Sequence, residues 1–203
     1  EPYVLLNHTG QLTDVQVMAH ELGHGLHLAR CLRAQSAHSG MPSFALIEVP
    51  STLAELMLVD NLLDGERDPA RRLALQAGAI ETAVQNVFMC SATAEWERGV
   101  YRMKAMGTAL SVERLNTLWL EHNRQYLGDS SCGDEIVTRW SAYPHAVLYR
   151  FYMYAYAFSC LLALVLMRRR RHDPEAFAGR YLEFLDRGGS LPPAELLAPL
   201  GIE

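Results

Sequence analysis

The chain has 203 residues, half of them apolar and a fifth charged, the balance of an ordinary globular domain with one sizeable core. A net charge of −5 gives no footing for nucleic-acid binding. Its four cysteines, Cys31, Cys90, Cys132 and Cys160, stand far apart with no CxxC pair, which argues against a disulfide framework or a zinc knuckle and suits a reducing, cytoplasmic compartment.

The first predicted element is a strand, PYVLLN (2–7). A lone strand leaves its backbone donors and acceptors unpaired, so its partners are expected outside this chain. The chain opens in an apolar run without an initiator methionine or a signal peptide, and it reads as a piece of something longer. Helical patterns follow. Thr13 and Gln16 form a T-x-x-Q capping box for a helix running to about Arg33. After the loop QSAHSGMPS (35–43), a second helix spans Pro50 to about Leu63. A long helical pattern covers residues 69 to 106, weakly interrupted at Gly78, and Ser111 opens another to about Leu127. The loop GDSSCGDE (128–135) precedes a tyrosine-rich helix over residues 145 to 170. Asp173 and Pro174 are an N-cap and first-turn pair for a helix ending at Gly188-Gly189, and PAELL (193–197) makes a short last one. The expected fold is mainly α, a single region over 1–203 with one N-terminal strand.

One segment invites a different interpretation. FYMYAYAFSCLLALVLM (151–167) carries no charge and is followed by Arg168 to Arg171, like a membrane anchor with a basic flank. Its 17 residues are at the lower limit for a span, however, and His145, Arg150 and several tyrosines crowd its start. A buried core helix is the expectation, without a membrane partner.

The chemistry concentrates in AHELGHGLH (19–27). Residues four apart on a helix differ by about 40° and one turn, so His20 and His24 project from one face and can share a zinc ion. Glu21, one step round from His20, stands where an H-E-x-x-H motif has its general base. Gly23 and Gly25 each cost a helix about 1 kcal/mol relative to alanine, which makes sense where another segment approaches closely. His27 lies seven residues, about 10 Å along the axis, from His20 and cannot share its ion. A metzincin would need a glycine at position 27 and a histidine at position 30, where this chain has His27 and Arg30. The third ligand must come from another element. In FALIEVPSTLAE (44–55), Glu48 is an acid in an apolar stretch, costly to bury without a counter-charge such as zinc. Glu55, two turns further on, is either a hydrogen-bond acceptor for a ligand histidine or a surface glutamate.

Together, VMAHELGHGLH and IEVPSTLAE resemble the oligoendopeptidase F and thimet oligopeptidase family of zinc metallopeptidases, most closely its oligoendopeptidase F branch. The resemblance extends to PYVLLN, TAEWE (93–97), YLGD (126–129) and GGSLPPAELLAPLGIE (188–203). It implies the multi-helix catalytic portion of a zincin, with one zinc per chain on His20, His24 and Glu48. It also implies internal cleavage of short unfolded peptides, and an N-terminal half, absent here, that closes over the site. In the family a histidine followed by a tyrosine-rich stretch stabilises the oxyanion. That maps onto PHAVLYRFYMYAYA (144–157), with His145 and then Tyr152 and Tyr154 as donors. Regular helix geometry instead puts His145, Tyr149, Tyr152 and Tyr156 in one stripe and turns Tyr154 away. Either the segment is irregular or Tyr154 is a core tyrosine. Two other functions fit the sequence: a helical module that binds zinc or peptide without turnover, and a membrane-anchored HExxH protease using 151–167.

Overall fold

Helix α1 (Leu12–Ala34) begins on Gln11 rather than on the expected Thr13–Gln16 box. The Asp14 carboxylate accepts hydrogen bonds from the main-chain N–H groups of Gln11 (2.9 Å) and Thr9 (2.7 Å) and from the Thr9 hydroxyl (2.9 Å). These bonds, led by that of Gln11, hold its pKa down to about 2. An acid in the first helical turn also meets the positive end of the helix dipole, and so Asp14 prevails over Thr13.

The structure is a computed structural model that describes residues 1–129 and 132–202. Two residues of the expected loop GDSSCGDE, 130 and 131, lie outside the described residues, as does Glu203 at the end of the GGSLPPAELLAPLGIE segment. No strand occurs among the described residues. Residues 2–7 therefore differ from expectation: without a neighbouring strand to share its N–H and C=O groups, the segment forms no ladder. All else is helix and connection, and the chain packs as two compact units, residues 1–79 with 159–203, and residues 80–158.

In the first unit, α1 packs on α3 (Val49–Gly65), which follows the one-turn α2 (Phe44–Ile47). Gly23 makes the approach possible: a Cβ there would stand 2.6 Å from the Pro50 carbonyl oxygen and the Ser51 Cα. Gly25 has no such neighbour, since a Cβ there would meet only Val4 Cγ2, at 3.8 Å. Close approach thus explains one glycine of the pair. The core gathers Leu46, Val49 and Leu53 with Leu162, Ala163, Leu166 and Met167 of α8 (Met153–His172). Phe177, Phe184 and Leu185 of α9 (Pro174–Arg187) join it, with Leu196 and Leu197 of α10 (Pro193–Leu197). Asp173 caps α9 as expected, its carboxylate accepting from the Ala176 N–H at 3.1 Å. Leu162 and Leu166 of 151–167 are therefore core residues while Leu161 and Leu164 are exposed, so the segment buries one face only. Among the described residues no helix is long and apolar enough to cross a membrane.

The expected long helix runs through Gly78 without interruption as α4 (Pro69–Val84), gives way to a π turn at Gln85–Met89, and resumes as α5 (Cys90–Ala105). In the second unit, α5 lies against α6 (Val112–Leu127), capped by Ser111. Three tryptophans build the interior. The Trp96 ring stands edge-on to Trp119 at 5.7 Å and stacked on Trp140 at 5.5 Å. Each indole N–H finds an acceptor: the Leu115 carbonyl, the Ile136 carbonyl and the Asn116 side chain. The tyrosine-rich segment is not one helix. α7 (Pro144–Leu148) stops, residues 149–152 turn, and α8 starts at Met153. The four cysteines are buried and none is disulfide-bonded.

Candidate metal centre

On the unbroken α1, His20 and His24 sit one turn apart, with ring centroids 4.8 Å apart and Nε2 atoms 3.1 Å apart. Glu48 occupies the joint between α2 and α3, at φ −88° and ψ −4°. Its side chain is 2% exposed as a residue and approaches both imidazoles at once: Oε2 lies 3.3 Å from His20 Nε2 and 3.3 Å from His24 Nε2. The Ser51 hydroxyl lies within hydrogen-bonding distance of Glu48 Oε2 (3.1 Å) and of the Glu48 carbonyl oxygen (2.9 Å). On the far side of His20, Nδ1 is 2.5 Å from Glu55 Oε1. Glu55 is thus the partner of a histidine, not a solvated surface acid.

The three facing atoms form a triangle with sides of 3.1, 3.3 and 3.3 Å. A tetrahedral ion with bonds of about 2.0–2.1 Å spaces its ligand atoms by about 3.3 Å. Two imidazole nitrogens and one carboxylate oxygen therefore fit zinc in both donor type and spacing. Glu55 Oε1, accepting from His20 Nδ1–H, fixes the tautomer that turns the Nε2 lone pair toward the shared point. Electrostatics agree. Burial pushes the His20 pKa down, but the Glu48 and Glu55 carboxylates outweigh it and raise the imidazole to about 10. Two acids converging on one ring make a place for a cation. No other group of three His, Cys, Asp or Glu side chains among the described residues comes together in this way.

Glu21 is half-buried and, with His20 and Glu55, lines a cavity of about 330 Å³ that also touches Thr13, Gln16 and Val17. His27 takes no part in the triangle. It is 2% exposed, stacks on Phe184 at 6.0 Å, and burial followed by the nearby His24 lowers its pKa to about 4. It is a neutral core histidine.

His145 and the tyrosines belong to the second unit. The His145 ring stacks on Tyr152 at 5.6 Å and contacts Tyr149 at 6.2 Å and Tyr156 at 6.0 Å. The four-residue stripe is thus realised although the helix beneath it is broken. Tyr154, in the first turn of α8, is 42% exposed and stands outside these ring contacts. The segment is irregular, and Tyr154 is not a core residue. Sequence reasoning missed two residues near these groups, Ser51 against Glu48 and Glu97 against the break. Glu97 carried no signal: it sits in AEWER beside Glu95 and Arg98, where a solvated glutamate is the ordinary expectation.

An almost wholly helical fold here holds the two histidines of an H-E-x-x-H motif against a downstream glutamate, on the architecture of a peptidase. The chain belongs to Peptidase family M3, whose model matches residues 1–203. It is 32% identical over 202 residues to the plasmid-borne oligoendopeptidase F of Lactococcus lactis subsp. cremoris, covering 99% of this chain and 33% of that protein. It is 30% identical over 203 residues to the oligopeptidase PepF of Bacillus subtilis (strain 168), covering 100% of this chain and 30% of that protein. Among solved structures it resembles oligoendopeptidase-F from Enterococcus faecium, with a TM-score of 0.73, 27% identity, and coverage of 95% of this chain and 34% of that one. PZ peptidase A, solved with an inhibitor, shares the fold with a TM-score of 0.81 at 20% identity, covering 97% of this chain and 35% of that one. The chain spans about a third of the length of the curated relatives it matches.

Proposed function

We propose that this chain carries the zinc-binding and acid–base residues of an endopeptidase that cuts short, unfolded peptides internally. His20, His24 and Glu48 would hold one zinc ion, which when bound supplies Lewis acidity to a water and to the scissile carbonyl. Glu55 orients His20 by accepting its Nδ1–H, and Ser51 steadies the Glu48 carboxylate. Glu21, facing the cavity beside His20, takes the proton of the attacking water and returns it to the leaving amine. His145, with Tyr152 or Tyr154, donates to the oxyanion that forms on the carbonyl. Four cysteines without a disulfide are what a reducing compartment such as the cytoplasm maintains. The names of the relatives, oligoendopeptidases and an oligopeptidase, support peptides as the substrate class.

The observation that carries this proposal is the triangle of donor atoms backed by Glu55. Metal analysis tests it. Protein purified without chelator should carry one zinc per chain, and Glu48→Gln should lose most of it with helical content nearly intact. Full zinc occupancy in that variant would remove Glu48 from the ligand set. The membrane-anchored alternative finds no helix to carry it among the described residues.

A further inference from the structure

The second unit contains a buried acid that the metal centre does not use. Glu97, at the end of TAEWE, is 2% exposed and follows Trp96 on α5. Its Oε1 accepts a hydrogen bond from the Phe151 main-chain N–H at 2.7 Å. Its Oε2 is buried with no hydrogen-bond partner among the described residues. A carboxylate so placed is costly, and an apolar side chain of similar volume would fill the space with less desolvation. Something other than packing must favour the acid.

Phe151 shows what that is. At φ 57°, it is the one non-glycine residue with positive φ among the described residues. A bulky side chain adopts that conformation only where the surroundings impose it. Leaving the helix also leaves the Phe151 N–H without a helical acceptor, at a part-buried position where a side chain can supply one. Glu97 supplies it. One turn further along the same face of α5, the Tyr101 ring lies 5.0 Å from the Phe151 ring. The helix therefore grips Phe151 twice, by its backbone and by its ring. On either side of the kink stand His145, at the start of α7, and Tyr152 just before α8 with Tyr154 in its first turn.

We infer that Glu97 is a positioning residue: its buried carboxylate fixes the Phe151 kink and so sets where His145, Tyr152 and Tyr154 stand. The catalytic consequence rests on the oxyanion role proposed above for those three residues. The hold on the kink does not. Glutamine at position 97 keeps an acceptor for the Phe151 N–H, whereas alanine removes it.

Trypsin reads the kink directly, because Arg150 is exposed and precedes Phe151. In the full-length zinc-loaded protein, Glu97→Ala should be cut at the Arg150–Phe151 bond about tenfold faster or more. Its kcat on a quenched peptide should fall about tenfold or more, with KM within about twofold and zinc content unchanged. Glu97→Gln should stay close to the unaltered protein in both assays. Wild-type cutting at Arg150 in the alanine variant, or a glutamine variant as damaged as alanine, overturns the inference. Faster cutting with unchanged kcat counts against the oxyanion role and leaves the hold on the kink standing. Amide hydrogen exchange covers the case in which alanine fails to fold. In the unaltered protein the Phe151 amide should exchange about a hundredfold more slowly than that of Arg150, and equal rates overturn the inference.

Discussion

Glu48 and Glu97 are buried to the same degree, each 2% exposed, yet their surroundings differ in kind. Glu48 faces two imidazole nitrogens at 3.3 Å and a serine hydroxyl, and a second carboxylate stands behind His20. That arrangement gathers negative charge around the imidazoles, the setting in which the proposed zinc would sit. Glu97 faces a single main-chain N–H and has one orphaned oxygen; burial, only partly offset by that bond, raises its pKa. No cation is called for there. A buried acid in the first unit is a sign of charge chemistry, and in the second it is a sign of backbone shape. The same contrast runs through the helices. α1 carries its histidines on regular geometry, whereas the tyrosines of the second unit flank a break between α7 and α8.

The sharpest test of this contrast is Glu21→Gln. It should keep the zinc, since Glu21 is outside the triangle, and lose a factor of about 10² to 10⁴ in peptide hydrolysis, the range for a general base. Zinc loss, or near-normal turnover measured beside metal content, would break the division between ligand and base. The tyrosines come next. Tyr154→Phe removes only a hydroxyl, and losing one oxyanion donor costs roughly 2.7–4 kcal/mol, or about 10² to 10³ in kcat with KM little changed. Tyr152→Phe is the internal control, because its ring stacks on His145 while Tyr154 is exposed. The larger loss should fall on Tyr154 if the family pattern holds, and on Tyr152 if the ring cluster is the donor. If steady-state kinetics show both variants fully active, the role passes to His145.

Two smaller effects concern stability in the first unit. His27 has a folded pKa of about 4, below its ordinary 6.5, so as pH falls through that window the unfolded chain takes up a proton that the folded chain refuses. The His27 contribution is complete above pH 6.5 and should drop by roughly 3 kcal/mol toward pH 4. His20, with its pKa raised, is protonated in both states of the zinc-free protein there and adds no slope. Urea midpoints of zinc-free His27→Leu should lack this part of the acid sensitivity; an identical pH profile would return His27 to a solvated role. Smallest is Gly23→Ala. Its Cβ would meet backbone rather than a yielding side chain, and overpacking of that kind costs about 1–3 kcal/mol. Gly25→Ala, with open space, should be neutral or stabilising in the same thermal melts.

These tests follow a line between what the sequence could and could not show. The meeting of His20, His24 and Glu48 was legible because its information is local. Four-residue spacing put His20 and His24 on one face, and an acid in an apolar stretch marked Glu48. The caps at Ser111 and Asp173 were legible for the same reason. Thr13 misled because two sets of capping residues overlap there and the one using Asp14 prevails. The π turn at Gln85–Met89 and the Phe151 kink were hidden for a different reason. The kink depends on Glu97, 54 residues away in the chain, and no periodicity within 145–170 contains it. Gly78, the apparent weak point, lies inside an intact helix.

The four buried cysteines have a practical consequence for following this protein's motions. Burial pushes the thiols of Cys31, Cys132 and Cys160 above their ordinary value, so the reactive thiolate is scarce while the chain stays folded. A maleimide dye offered to a variant with one cysteine introduced at exposed Leu148 should therefore attach there first. The native thiols would label only as the structure opens. One reagent would then report two clocks in a single sample, the immediate labelling of an accessible handle and the slow exposure of the interior.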